Sequence, residues 1–142
     1  MGRRRQAREF ALQALYLMDT ARMDSNSAIL IVSADSGLDA KSEEFARGLI
    51  QGAESRLADL DARIQETAQN WALDRMAAVD RNILRLASYE LLNCPETPAS
   101  VVIDEALEIA KLYSAQDSSK FINGILDKIQ AFRPPPHAEE AG

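Results

Sequence analysis

The sequence predicts an all-α helical bundle. Hydrophobic residues fill 46% of its 142 positions, but aromatic residues only 6%, and alanine and leucine are common. That composition suits packed helices better than strands, which favour aromatic and β-branched residues. Apolar residues recur at three- and four-residue spacing over most of the chain. The prolines stand only where such segments end, at Pro95, Pro98 and the run Pro134-Pro135-Pro136.

Each element can be read in order. From Arg4 to Arg22 there are few breakers, and Ala7, Phe10, Ala11, Ala14, Leu15 and Met18 fall on one helical face, with an end expected near Asp19 to Arg22. Residues 23–41 are rich in turn formers, including Asp24, Ser25, Asn26, Ser36, Gly37 and Asp39. Within them Ser27–Ser33 is expected to form a short helix. From Ser42 to Asn70, Phe45, Leu49, Ala53, Leu57, Leu60, Ile64 and Ala68 keep phase, which predicts one long helix capped by Ser42, with Glu43 and Glu44 in its first turn. Gly48 and Gly52 lie four apart in it and cost about 2 kcal/mol relative to two alanines. A close neighbour or a bend would account for them.

Trp71 to Asp74 reads as a connection. The next helix, 75–93, is apolar over much of its circumference through Val79, Ile83, Leu84, Leu86, Ala87, Tyr89, Leu91 and Leu92. Such a helix belongs at the centre of a bundle. Pro95 and Pro98 bound a turn. Residues 99–113 form another helix, with Val102, Ala106, Ile109, Ala110 and Tyr113 on one face. Asp117 or Ser118 is expected to cap a last helix running to about Ala131. The three prolines stop it, and a disordered tail over 133–142 is expected. One domain over 1–142 follows, with helical subdomains over about 1–72 and 73–132.

Charge is unevenly placed. The net charge is −6, yet Arg3, Arg4, Arg5 and Arg8 crowd the first eight positions. A helix N-terminus disfavours cations by about 0.3–1 kcal/mol each. Arg4 and Arg8 repel at i,i+4, and only Arg5–Glu9 offers a favourable pair. Local stability does not explain the cluster; a bound polyanion would. A solvated basic end is the plainer alternative.

Enzyme chemistry finds no constellation. Cys94 is the single cysteine, which excludes an internal disulfide and a cysteine-based zinc cluster. The single histidine, His137, stands in the Pro-rich tail. Asp59 with Asp61, and Glu43 with Glu44, read as solvated helix faces. No catalytic residue, metal site or cofactor is expected. The longest apolar run, Ala28–Val32, falls far short of the roughly 18–20 residues of a membrane span. A soluble, cytoplasmic protein is expected. Nucleic-acid binding has more support. Tyr16 lies two turns beyond Arg8, where it either stacks on an unpaired base or joins the core. Lys120, Phe121 and Asn123 open the last helix, where lysine, amide and free backbone N–H groups can grip a nucleotide.

Several segments together resemble the NusB family of bacterial transcription antitermination factors. Asp80-Arg81-Asn82-Ile83-Leu84-Arg85-Leu86-Ala87-Ser88-Tyr89-Glu90-Leu91 is similar to the family's "DR-ILR-A-YEL". Val102-Ile103-Asp104-Glu105-Ala106 with Ala110-Lys111 is similar to "V-I-EA-E-AK", and the run from Asp117 to Asp127 to "DS-KFVNGVLD". The opening RRRQAREFALQALY also matches, so the likeness spans nearly the whole chain apart from residues 23–41 and the tail.

The resemblance implies about seven helices in two subdomains. It implies binding of boxA RNA from ribosomal RNA transcripts, together with the ribosomal protein NusE. It further implies assembly with other Nus factors and RNA polymerase to suppress termination. It maps an RNA surface onto Arg4, Arg5, Arg8, Lys120 and Phe121, to which the residue reading adds Asn123. It maps a NusE surface near Tyr16 and Asp80. Asp117, on the mapped RNA face, would modulate RNA affinity by repelling phosphate. The alternatives are an RNA-binding domain related to those of ribosomal RNA cytosine methyltransferases, or a structural homodimer. After Ile129 too little chain remains for a methyl-donor domain.

Overall fold

The computed structural model describes residues 2–135 of the chain, with seven α-helices among them. They are α1 Gly2–Thr20, α2 Ser25–Ser33, α3 Ala40–Ser55, α4 Leu57–Thr67, α5 Ala78–Asn93, α6 Ala99–Tyr113 and α7 Ser118–Ile129. Single 3-10 turns at Leu73–Arg75 and Gln130–Phe132 precede α5 and follow α7.

Helix α5 sits at the centre, as its all-round apolar pattern requires. Residues Asn82 to Ser88, with Glu90 and Leu91, are buried in it. Helices α1, α3, α4, α6 and α7 all pack on α5, and α2 packs on α1 and α3. One continuous core results, from Ala7, Phe10 and Leu15 through Ile50, Leu60 and Ile64 to Leu84, Leu91, Ile122, Leu126 and Ile129. Most of the helical segments fall where the periodicity puts them, including the short α2. Helix α1 stops where Arg22 takes a left-handed φ of 56° beyond its end.

Three local expectations are corrected. The long helix over 42–70 is two helices, broken at Arg56, whose φ of −115° and ψ of 18° leave the helical region. The break lets α4 turn onto α5 and α7. The cap of α3 is Asp39, whose Oδ1 accepts the Ser42 N–H at 2.8 Å, so Ser42 lies inside the first turn. Asp117 makes no side-chain capping bond to α7, and its backbone is already helical at φ −90° and ψ −4°.

Gly52 needs its missing Cβ for a side chain rather than a neighbouring backbone. A Cβ there would overlap the ring and hydroxyl of Tyr89, whereas one on Gly48 would meet nothing within 4 Å. Of the expected tail, residues 133–135 are described. Arg133 Nη2 donates to the Cys94 carbonyl at 2.8 Å and also to that of Thr97. His137 and the expected disorder of residues 136–142 lie outside the described residues.

A polar network fixes the other end of α5. Asp19, near the end of α1, accepts from Arg81 Nε at 2.8 Å and from Asn82 Nδ2 at 2.9 Å. Arg85 donates to both oxygens of Asp61, at 2.7 and 2.9 Å, so α1, α4 and α5 are locked together. Burial works against the Asp19 charge. The Arg81 and Asn82 bonds prevail and hold its carboxyl below the usual range.

Candidate nucleic-acid interface

The four arginines of α1 have four different environments. Arg3 is exposed and reaches Asp39 at 3.4 Å. Arg4 is exposed, and its guanidinium lies 3.8 Å over the Phe45 ring. That cation–π contact holds the charge in place on an exposed side chain. Arg5 is half-buried and makes a two-point bond to Glu105 of α6, at 2.9 and 2.8 Å. The shared bond raises the arginine's pKa and lowers that of the glutamate, so each holds the other charged.

Arg8 is a core residue. It is 5% exposed, and it donates to both oxygens of Glu90, itself 1% exposed, at 2.7 and 2.8 Å. Burial opposes its charge, but the Glu90 bonds more than offset that and raise its pKa. Arg8 is therefore not placed to meet phosphate, which corrects the expectation. The helix pattern shows why: Ala11, Leu12 and Leu15 follow Arg8 at i+3, i+4 and i+7, so Arg8 stands on the apolar face. The cluster that looked unexplained is explained for Arg5 and Arg8 by acids from α6 and α5. The readily available cations are Arg3 and Arg4.

The start of α7 presents Lys120 and Asn123 exposed and Phe121 half-buried. Phe121 meets Trp71 in a T-shaped contact, ring centres 5.9 Å apart and planes at 73°. Asp117 is exposed just before them. Ser118 Oγ donates to Asp80 Oδ2 at 2.9 Å, so Asp80 is tied to the first residue of α7 rather than standing free on the surface.

The two expected RNA-binding groups lie toward opposite ends of α5. Arg8 meets Glu90 near the end of α5, whereas Ser118 meets Asp80 in its first turn. Those acids are ten residues apart, about 15 Å at 1.5 Å per residue. Tyr16 and Asp80 are linked only through Val79, and Asp80 itself is not in the lining of the Tyr16 groove. Tyr16, 39% exposed, lines a groove of about 770 Å³ with Leu12, Ile31, Val32 and Val79, the neighbour of Asp80. Glu9 and Asp35 make the groove acidic. Tyr113 closes one side and donates to Glu9 Oε1 at 2.9 Å, a bond that raises the phenol's pKa.

Sequence reasoning missed Glu90, Glu105 and Phe45 as partners of the arginines, and Trp71 beside Phe121. Other chemistry finds little footing. Burial pushes the Cys94 thiol up to about 11, far from a nucleophile's range. Among the described residues, no group of three His, Cys, Asp or Glu side chains could hold a metal, and no helix is long and apolar enough to cross a membrane.

Comparison with known proteins gives a consistent picture. A profile described as the NusB family matches residues 5–131. The transcription antitermination protein NusB of Elusimicrobium minutum (strain Pei191) is 50% identical over 136 residues, covering 94% of this chain and 96% of its own. The structure of T. maritima NusB superposes with a TM-score of 0.87 at 40% identity, covering 96% of each chain. A chain from a crystal structure of the antitermination factors NusB and NusE in complex with double-stranded RNA gives a TM-score of 0.85 at 26% identity. That match covers 92% of this chain and 98% of the other.

Proposed function

The chain belongs to the NusB family and is a transcription antitermination factor; we propose that it works by binding boxA-type single-stranded RNA together with NusE. It joins the elongating RNA polymerase with the other Nus factors on ribosomal RNA operons, in the cytoplasm. It acts by binding, without a reaction of its own. The observation that supports RNA binding best is Arg4, an exposed cation held over Phe45 on a chain of net charge −6. Arg3 beside it and Lys120 and Asn123 on α7 extend the surface, with Phe121 as a stacking edge. Arg5, held by Glu105, lends its field rather than a free guanidinium. The groove at Tyr16, with Glu9 and Asp35 in its lining and Asp80 following its Val79, suits a cationic protein partner such as NusE.

The test is a titration of labelled boxA-type single strand, and of its duplex, at several salt concentrations with and without NusE. Three phosphate contacts give a slope of about −2 in log K against log salt, at about −0.7 per contact. Arg4→Ala should weaken binding and flatten that slope by about 0.7. No binding with NusE present would overturn the reading, and equal affinity for the duplex would overturn its single-strand part.

A further inference from the structure

Trp71 is the chain's one tryptophan, and it stands 59% exposed. The connection that carries it is braced. Gln65 Nε2 donates to the Trp71 carbonyl at 2.7 Å, and Gln65 Oε1 accepts the Leu73 N–H at 2.7 Å. The Trp71 N–H donates to the Ala68 carbonyl at 3.1 Å. A large aromatic side chain is thus held out from the core by a fixed backbone, and it stays largely exposed beside its T-shaped contact to Phe121.

A cleft of about 490 Å³ adjoins the ring, lined by Gln65, Gln69, Asn70, Trp71, Ala72 and Arg75. Its one charged lining residue is Arg75, on a chain of net charge −6. Asp74 lies in the adjoining turn but outside the lining. Gln69 and Asn70 bring amides that both donate and accept, the chemistry that reads a base edge. Lys120 precedes Phe121 and adds a second exposed cation nearby. The groove at Tyr16 has the opposite character, with Glu9 and Asp35 in its lining.

We propose that the Trp71 cleft binds an unpaired base of single-stranded RNA. The base stacks on the indole, Gln69 and Asn70 meet its edge, and Arg75 and Lys120 meet the flanking phosphates. The proposal rests on the RNA-binding reading above and adds a base site to it. Stacking platforms of this kind tolerate sequence, because every base has a flat face.

The single tryptophan makes the test direct. BoxA-type single strand is titrated into the protein, with and without NusE, while indole emission and the anisotropy of a labelled RNA are read in parallel. Emission should be quenched with the same midpoint as the anisotropy change. Trp71→Ala should weaken binding roughly 5- to 150-fold, with the salt slope unchanged because no charge is lost. Trp71→Phe should recover most of the affinity. Normal anisotropy with unchanged emission and an unaffected Trp71→Ala variant would overturn the base site and leave RNA binding standing. No anisotropy change at all would remove both. Quenching by NusE in the absence of RNA would assign the indole to a protein interface instead.

Discussion

Arg8→Met should destabilise the protein severely and leave Glu90 as an unpaired charge in the core. Both members of the pair are almost fully buried and share two bonds, at 2.7 and 2.8 Å. Removing one partner of such a pair costs about 3–5 kcal/mol. A loss of about 3–5 kcal/mol is therefore expected. Unfolding entropy near 2.1 cal/mol/K per residue gives about 0.3 kcal/mol/K for 142 residues. The melting temperature should fall by about 10–17 °C. Adding Glu90→Leu removes the orphaned charge, and the double variant should return to within about 1 kcal/mol of the native protein. Thermal and urea denaturation read both effects, and an RNA titration of the double variant should show native affinity. A stable Arg8→Met protein with weakened RNA binding would refute the reasoning, because it would mean that Arg8 leaves Glu90 to meet phosphate.

Gly48→Ala should raise the urea midpoint, by up to about 1 kcal/mol of stability, while Gly52→Ala should lower stability by about 1–3 kcal/mol because its methyl meets Tyr89. The folded-state pKa of Asp19 is depressed, so its stabilisation is full above the unfolded value of about 3.9 and is lost as pH falls through the lower folded value. The stability gap between native protein and Asp19→Asn should accordingly stay level from pH 7 to 5 and close in stronger acid. Asp80→Asn keeps an acceptor for Ser118 and should fold normally while binding NusE less tightly at low salt. Asp80→Lys also strands the Ser118 hydroxyl and should cost about 1–3 kcal/mol in a denaturation measurement. Asp117→Asn should leave stability within about 0.5 kcal/mol and tighten RNA binding modestly at low salt, an advantage that titrations at rising salt should see disappear.

Periodicity carried the fold because a central helix must be apolar on most sides, and the pattern from Val79 to Leu92 says so. The break at Arg56 was hidden for the same reason. Ala53, Leu57, Leu60 and Ile64 stay in phase across it, and no proline or helix-ending glycine marks the spot. Asp39 carried a legible signal, an acid three residues before the N–H it accepts, but Ser42 stood closer to the apolar run. The site was harder to read. Arg8 and Glu90 are 82 residues apart in the chain, and neither helix alone shows that the other supplies its counter-charge. The available hint was a charged residue on the apolar stripe of each of two helices, which forces either a partner or a different register. Trp71 looked like an ordinary connector residue. Only the bracing by Gln65 shows that its exposure is held in place.

RNA and a cationic protein ask for surfaces of opposite sign, and the fold supplies both on an acidic chain. Glu90 and Glu105 turn two of the α1 arginines inward, so the exposed charge at that end belongs to Arg3 and Arg4. Tyr16 lies twelve residues along α1 from Arg4, about 18 Å. That exceeds two Debye lengths at physiological salt, about 8 Å each. Events at the Tyr16 groove should therefore barely change the field at Arg4. The start of α7 is different. Lys120 and Phe121 follow Ser118 by two and three residues, and Ser118 is bonded to Asp80. A partner that engages Asp80 competes for, or strengthens, the bond that fixes this helix start. Coupling between the RNA and protein surfaces is thus expected through α7 and not through α1. It should appear as a Ser118→Ala variant in which NusE no longer changes RNA affinity as it does in the native protein, while Arg4→Ala weakens RNA binding equally with and without NusE.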